Sequence, residues 1–134
     1  MVDLRVFLDA NVLFAAAYSP DGLSALLIEL GAAGRVTLLT SPVTITEAER
    51  NLEAKRRNLS AVRIVSEPAP ADVERLTPSE LSSKDRPLLA AAIVAGATHF
   101  ATGDIADFGR FMKRGTGLPL QVMTPRQFLT EESP

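Results

Sequence analysis

Residues 7–14 read FLDANVLF, and the way Asp9 and Asn11 fit into that apolar run decides the fold. An ionised carboxylate taken out of water without a partner costs several kcal/mol or more. Asp9 is therefore exposed or has a cation. Leu4 to Leu8 is short, rich in Val, Phe and Leu, and followed by the turn-capable Asp9-Ala10-Asn11, which predicts a buried strand ending at the carboxylate. Asn11 to Tyr18 then reads as a helix, so the chain opens as strand, acid, helix.

The same alternation continues outward. Ser19-Pro20-Asp21-Gly22 is a turn, and Leu23, Leu26, Leu27 and Leu30 recur at helical spacing before Gly31 and Gly34. Val36 to Leu39 predicts a second strand. Ser41 caps a helix that starts at Pro42 and runs to about Asn58, ending in Lys55, Arg56 and Arg57 as a solvated basic end. Residues 59–83 are the least periodic, with Val62 to Val65 as a possible strand, and Pro68, Pro70 and Pro78 suggest a connection lying across the surface. Lys84-Asp85-Arg86-Pro87 opens the helical LLAAAIVAGA, Thr98 to Thr102 predicts a strand, and Gly103 to Phe108 begins a helical turn. Leu118 to Met123 is the last strand, followed by a short helix from Thr124-Pro125 to Leu129 and a polar tail.

Strands alternating with helices imply parallel pairing through right-handed crossovers, hence an α/β fold with helices on both faces of a sheet. The 134 residues, 46% of them hydrophobic, suit one domain spanning 1–134. There is no cysteine, which removes disulfides, thiol nucleophiles and thiolate metal sites and is compatible with a reducing cytoplasm. The N-terminus has the marks of neither a signal peptide nor a targeting helix, and no apolar run is long enough to span a bilayer. A net charge of -2 argues against coating nucleic acid by bulk electrostatics, but permits a local acidic site that meets phosphates through metal ions.

In such a sheet, ligands sit beyond the carboxyl ends of the strands. Asp9 follows the first strand and Asp104 the Thr98 to Thr102 strand, so both project from one edge. Asp85 stands in the first turn of the helix before that strand, and Glu47 lies one or two turns into the helix after the second strand. Converging carboxylates repel unless they share protons or bind cations. Oxygen-only ligation points to a hard ion, Mg²⁺ or Mn²⁺, with roughly 2.0–2.1 Å ligand distances for magnesium and several waters retained. Such ions promote phosphoryl chemistry.

FLDANVLF, SPVTITEAERNL, KDRPLLAAAIVAGATHFATGD, IADFG and TPRQFL together resemble the PIN-domain family of metal-dependent ribonucleases, which includes the VapC-like toxins of toxin–antitoxin modules. The resemblance runs from Val6 to Leu129. It implies a three-layer α/β/α sandwich on a mainly parallel central sheet and Mg²⁺- or Mn²⁺-dependent hydrolysis of single-stranded RNA. It matches Asp9, Glu47, Asp85 and Asp104 to the family's four acidic motifs, as catalytic residues and metal ligands, and Asn11 and Thr102 to the flanking polar residues. Glu49 is the alternative to Glu47, and Asp107 is either a further metal ligand or a first-turn acid complementing the helix dipole. A homodimer and a cognate antitoxin whose peptide occludes the acidic cleft follow as further expectations.

Arg110, Lys113 and Arg114, near Asp104 in sequence, are the preferred contacts to RNA phosphates. His99, beside Phe100 in a strand, reads as a satisfied structural histidine. Two other functions compete. An aspartyl-phosphate phosphohydrolase would use Asp9 as nucleophile, but needs a second acid where Asn11 stands. A non-catalytic PIN-like or receiver-like domain would only bind a partner.

Overall fold

The computed structural model describes residues 3–19, 21–50, 59–113 and 115–134. The chain begins with β1 (Arg5–Leu8), α1 (Ala10–Tyr18), α2 (Leu23–Ala32), β2 (Thr37–Thr40) and α3 (Pro42–Glu49). It continues with β3 (Val62–Ile64), α4 (Pro70–Leu76), α5 (Arg86–Val94) and β4 (His99–Ala101). Last come α6 (Ile105–Phe108), a 3₁₀ turn at Gly109–Phe111, β5 (Gln121–Met123) and α7 (Pro125–Glu132). The sheet has five strands in the order β3-β2-β1-β4-β5, and every pairing is parallel. Val6 stands level with Leu38 on one side and His99 on the other.

Side chains alternate between the two faces of each strand, and this builds two cores. Val6, Leu8, Leu38, Ala101 and Met123 pack with Val12 and Leu13 of α1, Leu27 of α2, Ile45 of α3 and Phe128 of α7. Phe7, Leu39, Phe100 and Val122 point the other way, against Leu89 and Ala92 of α5 and Phe108 of α6. Phe7 stacks on Phe100 at 5.4 Å between ring centroids, and Phe108 tilts onto Phe100 at 4.9 Å. The result is an α/β/α sandwich, as the sequence implies. No single described helix is long and apolar enough to cross a membrane.

Three expectations change. The proline-rich connection contains a helix, α4, because Pro70 occupies the first helical turn, where its missing N–H costs nothing. Its end is anchored: Arg86 donates from Nε to Thr77 Oγ1 at 2.9 Å and reaches Glu74 at 3.5 Å. The final helix runs on to Glu132, because Thr124 and Gln127 form a reciprocal capping box and Phe128 is fully buried. The last strand is confined to Gln121–Met123, since Pro119 has no N–H to give a ladder and Gly117 has φ +80°. The expected helix from Pro42 to Asn58 is seen to Glu49, while Lys55, Arg56 and Arg57 lie outside the described residues.

His99 is 4% exposed, with Nδ1 2.8 Å from Thr98 Oγ1 and Nε2 3.1 Å from Glu132 Oε1, so it is satisfied as expected. Gly31 allows α2 to lie close to β2. A Cβ there would stand 2.3 Å from Leu38 Cδ1 and 2.7 Å from Leu38 Cγ, and Leu38 is fully buried. Gly31→Ala should therefore lower unfolding free energy by about 1–3 kcal/mol, despite the better helix propensity of alanine. Urea denaturation measures it, and an unchanged or raised midpoint would show that Leu38 can give way.

Candidate functional site

The chain moves outward from β1 through β2 to β3, then returns to place β4 on the other side of β1. The order of strands reverses between β1 and β4, and the crevice beyond their carboxyl ends is where such sheets bind ligands. Asp9 leaves β1 there and Thr102-Gly103-Asp104 leaves β4. The nine-residue α5, about 13 Å long at 1.5 Å per residue, runs back antiparallel to β4 and so carries Asp85 at its start to the same edge.

Asp9 is 6% exposed, and both its oxygens are engaged. Oδ1 accepts from the N–H of Ala10 at 2.8 Å, capping α1. Oδ2 accepts from Thr102 Oγ1 at 2.8 Å and from Asn11 Nδ2 at 3.2 Å. Asn11 Nδ2 also reaches Thr102 Oγ1 at 3.2 Å, while its Oδ1 accepts from the N–H of Gly103 at 2.7 Å. Thr102 Oγ1 in turn accepts from the N–H of Asp104 at 3.0 Å. Asn11 and Thr102 thus clamp the two loops together.

Carboxylate oxygens of Asp85, Asp104 and Asp107 lie within 4.8 Å of one another. Asp85 is 5% exposed, and its carboxylate caps no helix N–H, so it is not an ordinary helix start. Its Oδ2 accepts from Ser82 Oγ at 2.9 Å. The sequence signal for that serine is its place three residues before the acid in Ser82-Ser83-Lys84-Asp85, a turn signature. Asp104 is half-buried and accepts from the N–H of Asp107 at 3.0 Å. Asp107 is exposed, and the one-turn spacing from Asp104 places it in the cluster.

Among the described residues no lysine or arginine pairs with these acids. Arg86, next to Asp85, is turned towards Thr77 and Glu74. Three hard oxygen donors this close, with no protein cation between them, fit Mg²⁺ or Mn²⁺ by donor chemistry.

The other expected residues stand apart from this cluster. Glu47 is exposed on α3 and lines a shallow cleft with Pro42, Val43, Thr46 and Arg50. The side chain of Glu49 and the whole of Arg114 lie outside the described residues. Arg110 is exposed in the 3₁₀ turn after α6. Lys113, also exposed, borders a cleft of about 590 Å³ beside β5.

Burial pushes the Asp9 carboxyl above its ordinary 3.8, and the charge of Asp104 adds to this, against the opposing hydrogen bonds from Thr102, Ala10 and Asn11. With a raised folded-state pKa, the contribution of this group to stability is fully present below 3.8 and is lost as pH rises through the folded value. In metal-free buffer, the stability of the native protein relative to Asp9→Asn should therefore fall between pH 3 and neutrality. The asparagine oxygen can still cap Ala10, and loss of the second acceptor, used by Thr102 and Asn11, shifts the variant by a pH-independent offset. Thermal melts across that range test it, and a gap that widens in favour of the native protein would reverse the sign.

A search of curated proteins gives no significant match. Among solved structures, the fold is similar to VapBC2 from Rickettsia felis bound to a DNA fragment from its promoter, with 18% identity and a TM-score of 0.66 over 90% of this chain and 98% of that one. It is also similar to DNA-bound VapBC from Salmonella typhimurium, with 17% identity and a TM-score of 0.61 over 91% and 98% of the two chains. The family model for the PIN domain matches residues 5–106. That span runs from β1 through Asp9, Asp85 and Asp104, and the chain belongs to the PIN-domain family.

Proposed function

We propose that this protein is a Mg²⁺- or Mn²⁺-dependent endoribonuclease that cuts single-stranded RNA, and that it is the toxin of a toxin–antitoxin pair. The observation that carries the reading is the convergence of Asp85, Asp104 and Asp107 on the switch-point crevice of a PIN domain. A bound divalent ion supplies polarisation of the scissile phosphate and activation of water. The chain's own part is to hold acids in place. Asp85, Asp104 and Asp107 are the ligands, and Asp9 lies beside them as a further catalytic acid whose charge is felt through Asp104. Asn11 and Thr102 keep the Asp9 oxygens and the Asp104 backbone oriented, as partners behind metal ligands do.

Glu47, exposed on α3, is assigned as the remaining acid on its match to the family's second acidic motif. Arg110 and Lys113 are assigned to flanking phosphates, where exposed cations position a strand without reading its sequence. Both carboxylate oxygens of Asp9 are occupied and Asn11 stands in place of a second acid, so the aspartyl-phosphate mechanism has less support. The two solved relatives are VapBC complexes, which supports a cognate antitoxin as partner. A homodimer and a cytoplasmic location complete the reading.

Purified protein should cut end-labelled single-stranded RNA in Mg²⁺ or Mn²⁺ and stop in EDTA. Asp85→Asn and Asp104→Asn should each slow cleavage by about 100-fold or more while still folding. Cleavage that persists in EDTA, or at full rate in both variants, contradicts the proposal.

A further inference from the structure

Two clefts open beside the acidic site and share Ala15, Ser24 and Pro125 in their walls. The first, about 420 Å³, begins at Asn11, Gly103 and Asp104. The second, about 750 Å³, continues past Ser19, Gly22 and Leu23 to Arg126. Together they form one groove leading from the acids to the start of α2.

That helix start is chemically open. Gly22 is its N-cap and offers no side chain, and the first intrahelical bond runs from the N–H of Leu26 to the carbonyl of Gly22 at 3.1 Å. Among the described residues, the N–H groups of Leu23, Ser24 and Ala25 have no acceptor. Ser24 is only 9% exposed and lines both clefts, yet its hydroxyl has no hydrogen-bond partner among the described residues. Its oxygen is not enclosed in the core, so the hydroxyl opens into the groove as a free donor. Arg126, exposed on α7, borders the same cleft and forms no ion pair among the described residues. Asp21 at the rim has the opposite sign but is exposed, so solvent screens it.

We propose that the N-terminus of α2, the Ser24 hydroxyl and the Arg126 guanidinium bind one backbone phosphate of single-stranded RNA lying in this groove. The identity of the ligand rests on the nuclease reading above. Free N–H groups and the positive helix end favour an anion, and the hydroxyl and guanidinium add donors suited to phosphate oxygens. A groove that starts at a cation centre and reaches a second anion site suits a polyanion with regularly repeated phosphates.

The test is titration of ¹⁵N-labelled protein in EDTA with a short oligouridylate, with inorganic phosphate in a parallel series. The amide signals of Leu23, Ser24 and Ala25 should move with the oligonucleotide. Ser24→Ala and Arg126→Gln should each weaken its binding by about tenfold, and Arg126→Gln should reduce the dependence of log K on log salt by about 0.7. Two outcomes overturn the proposal: silent α2 amides with an oligonucleotide that binds elsewhere, or a response to phosphate alone. Silent amides in a protein that cuts RNA refute the groove and spare the nuclease. Responding amides in a protein that does not cut support the phosphate site and refute the nuclease.

Discussion

The hydroxyl of Thr102 joins the two loops on which the site is built. It donates to Asp9 and accepts from Asn11 and from the N–H of Asp104, so one atom ties the end of β1 to the end of β4. Parallel pairing of Phe7 with Phe100 and of Leu8 with Ala101 sets the two strand ends level before this hydroxyl is used. The stacked Phe7 and Phe100 rings hold that register from below. Sheet pairing, aromatic packing and the polar clamp therefore act on the same two strands.

Against this rigid frame the acids are electrostatically incomplete. Two like charges at the spacing of the Asp85, Asp104 and Asp107 oxygens repel by on the order of 3 kcal/mol at an effective dielectric near 20, and by less where solvent reaches Asp107. Of the two cations that flank Asp85 in sequence, Arg86 is turned to Thr77 and Glu74, where it secures α4, and Lys84 is exposed and pairs with none of these acids among the described residues. The buried Asp85 carboxylate caps no helix N–H, and the Ser82 hydroxyl is its one donor among the described residues, so the local fold supplies it a single neutral hydrogen bond and no counter-charge. A divalent ion resolves both costs, which is why the arrangement reads as a metal centre rather than as a set of helix caps.

Much of this was legible in the sequence because it depends on local pattern. The run FLDANVLF shows a strand turning into a helix at an acid, and the alternation that follows gives the parallel sheet and the edge shared by Asp9 and Asp104. Asp85 needed the three-dimensional fact that α5 runs antiparallel to β4 and is long enough to return to that edge. The helix at Pro70 was hidden by proline density, since composition does not show that Pro70 falls in a first turn. Ser82, Ser24 and the turning away of Arg86 depend on side-chain direction and tertiary neighbours, which periodicity does not encode. Asp9 itself shows both readings at once: it is a helix cap, and it is also a buried acid next to a cluster of others.

The most direct measurement is anomalous diffraction from a crystal of this protein soaked in Mn²⁺. A manganese peak is expected in contact with carboxylate oxygens of Asp85, Asp104 and Asp107, at the mouth of the crevice between β1 and β4. A well-diffracting soaked crystal with no peak there, or with manganese bound only at other acids, would contradict the metal centre.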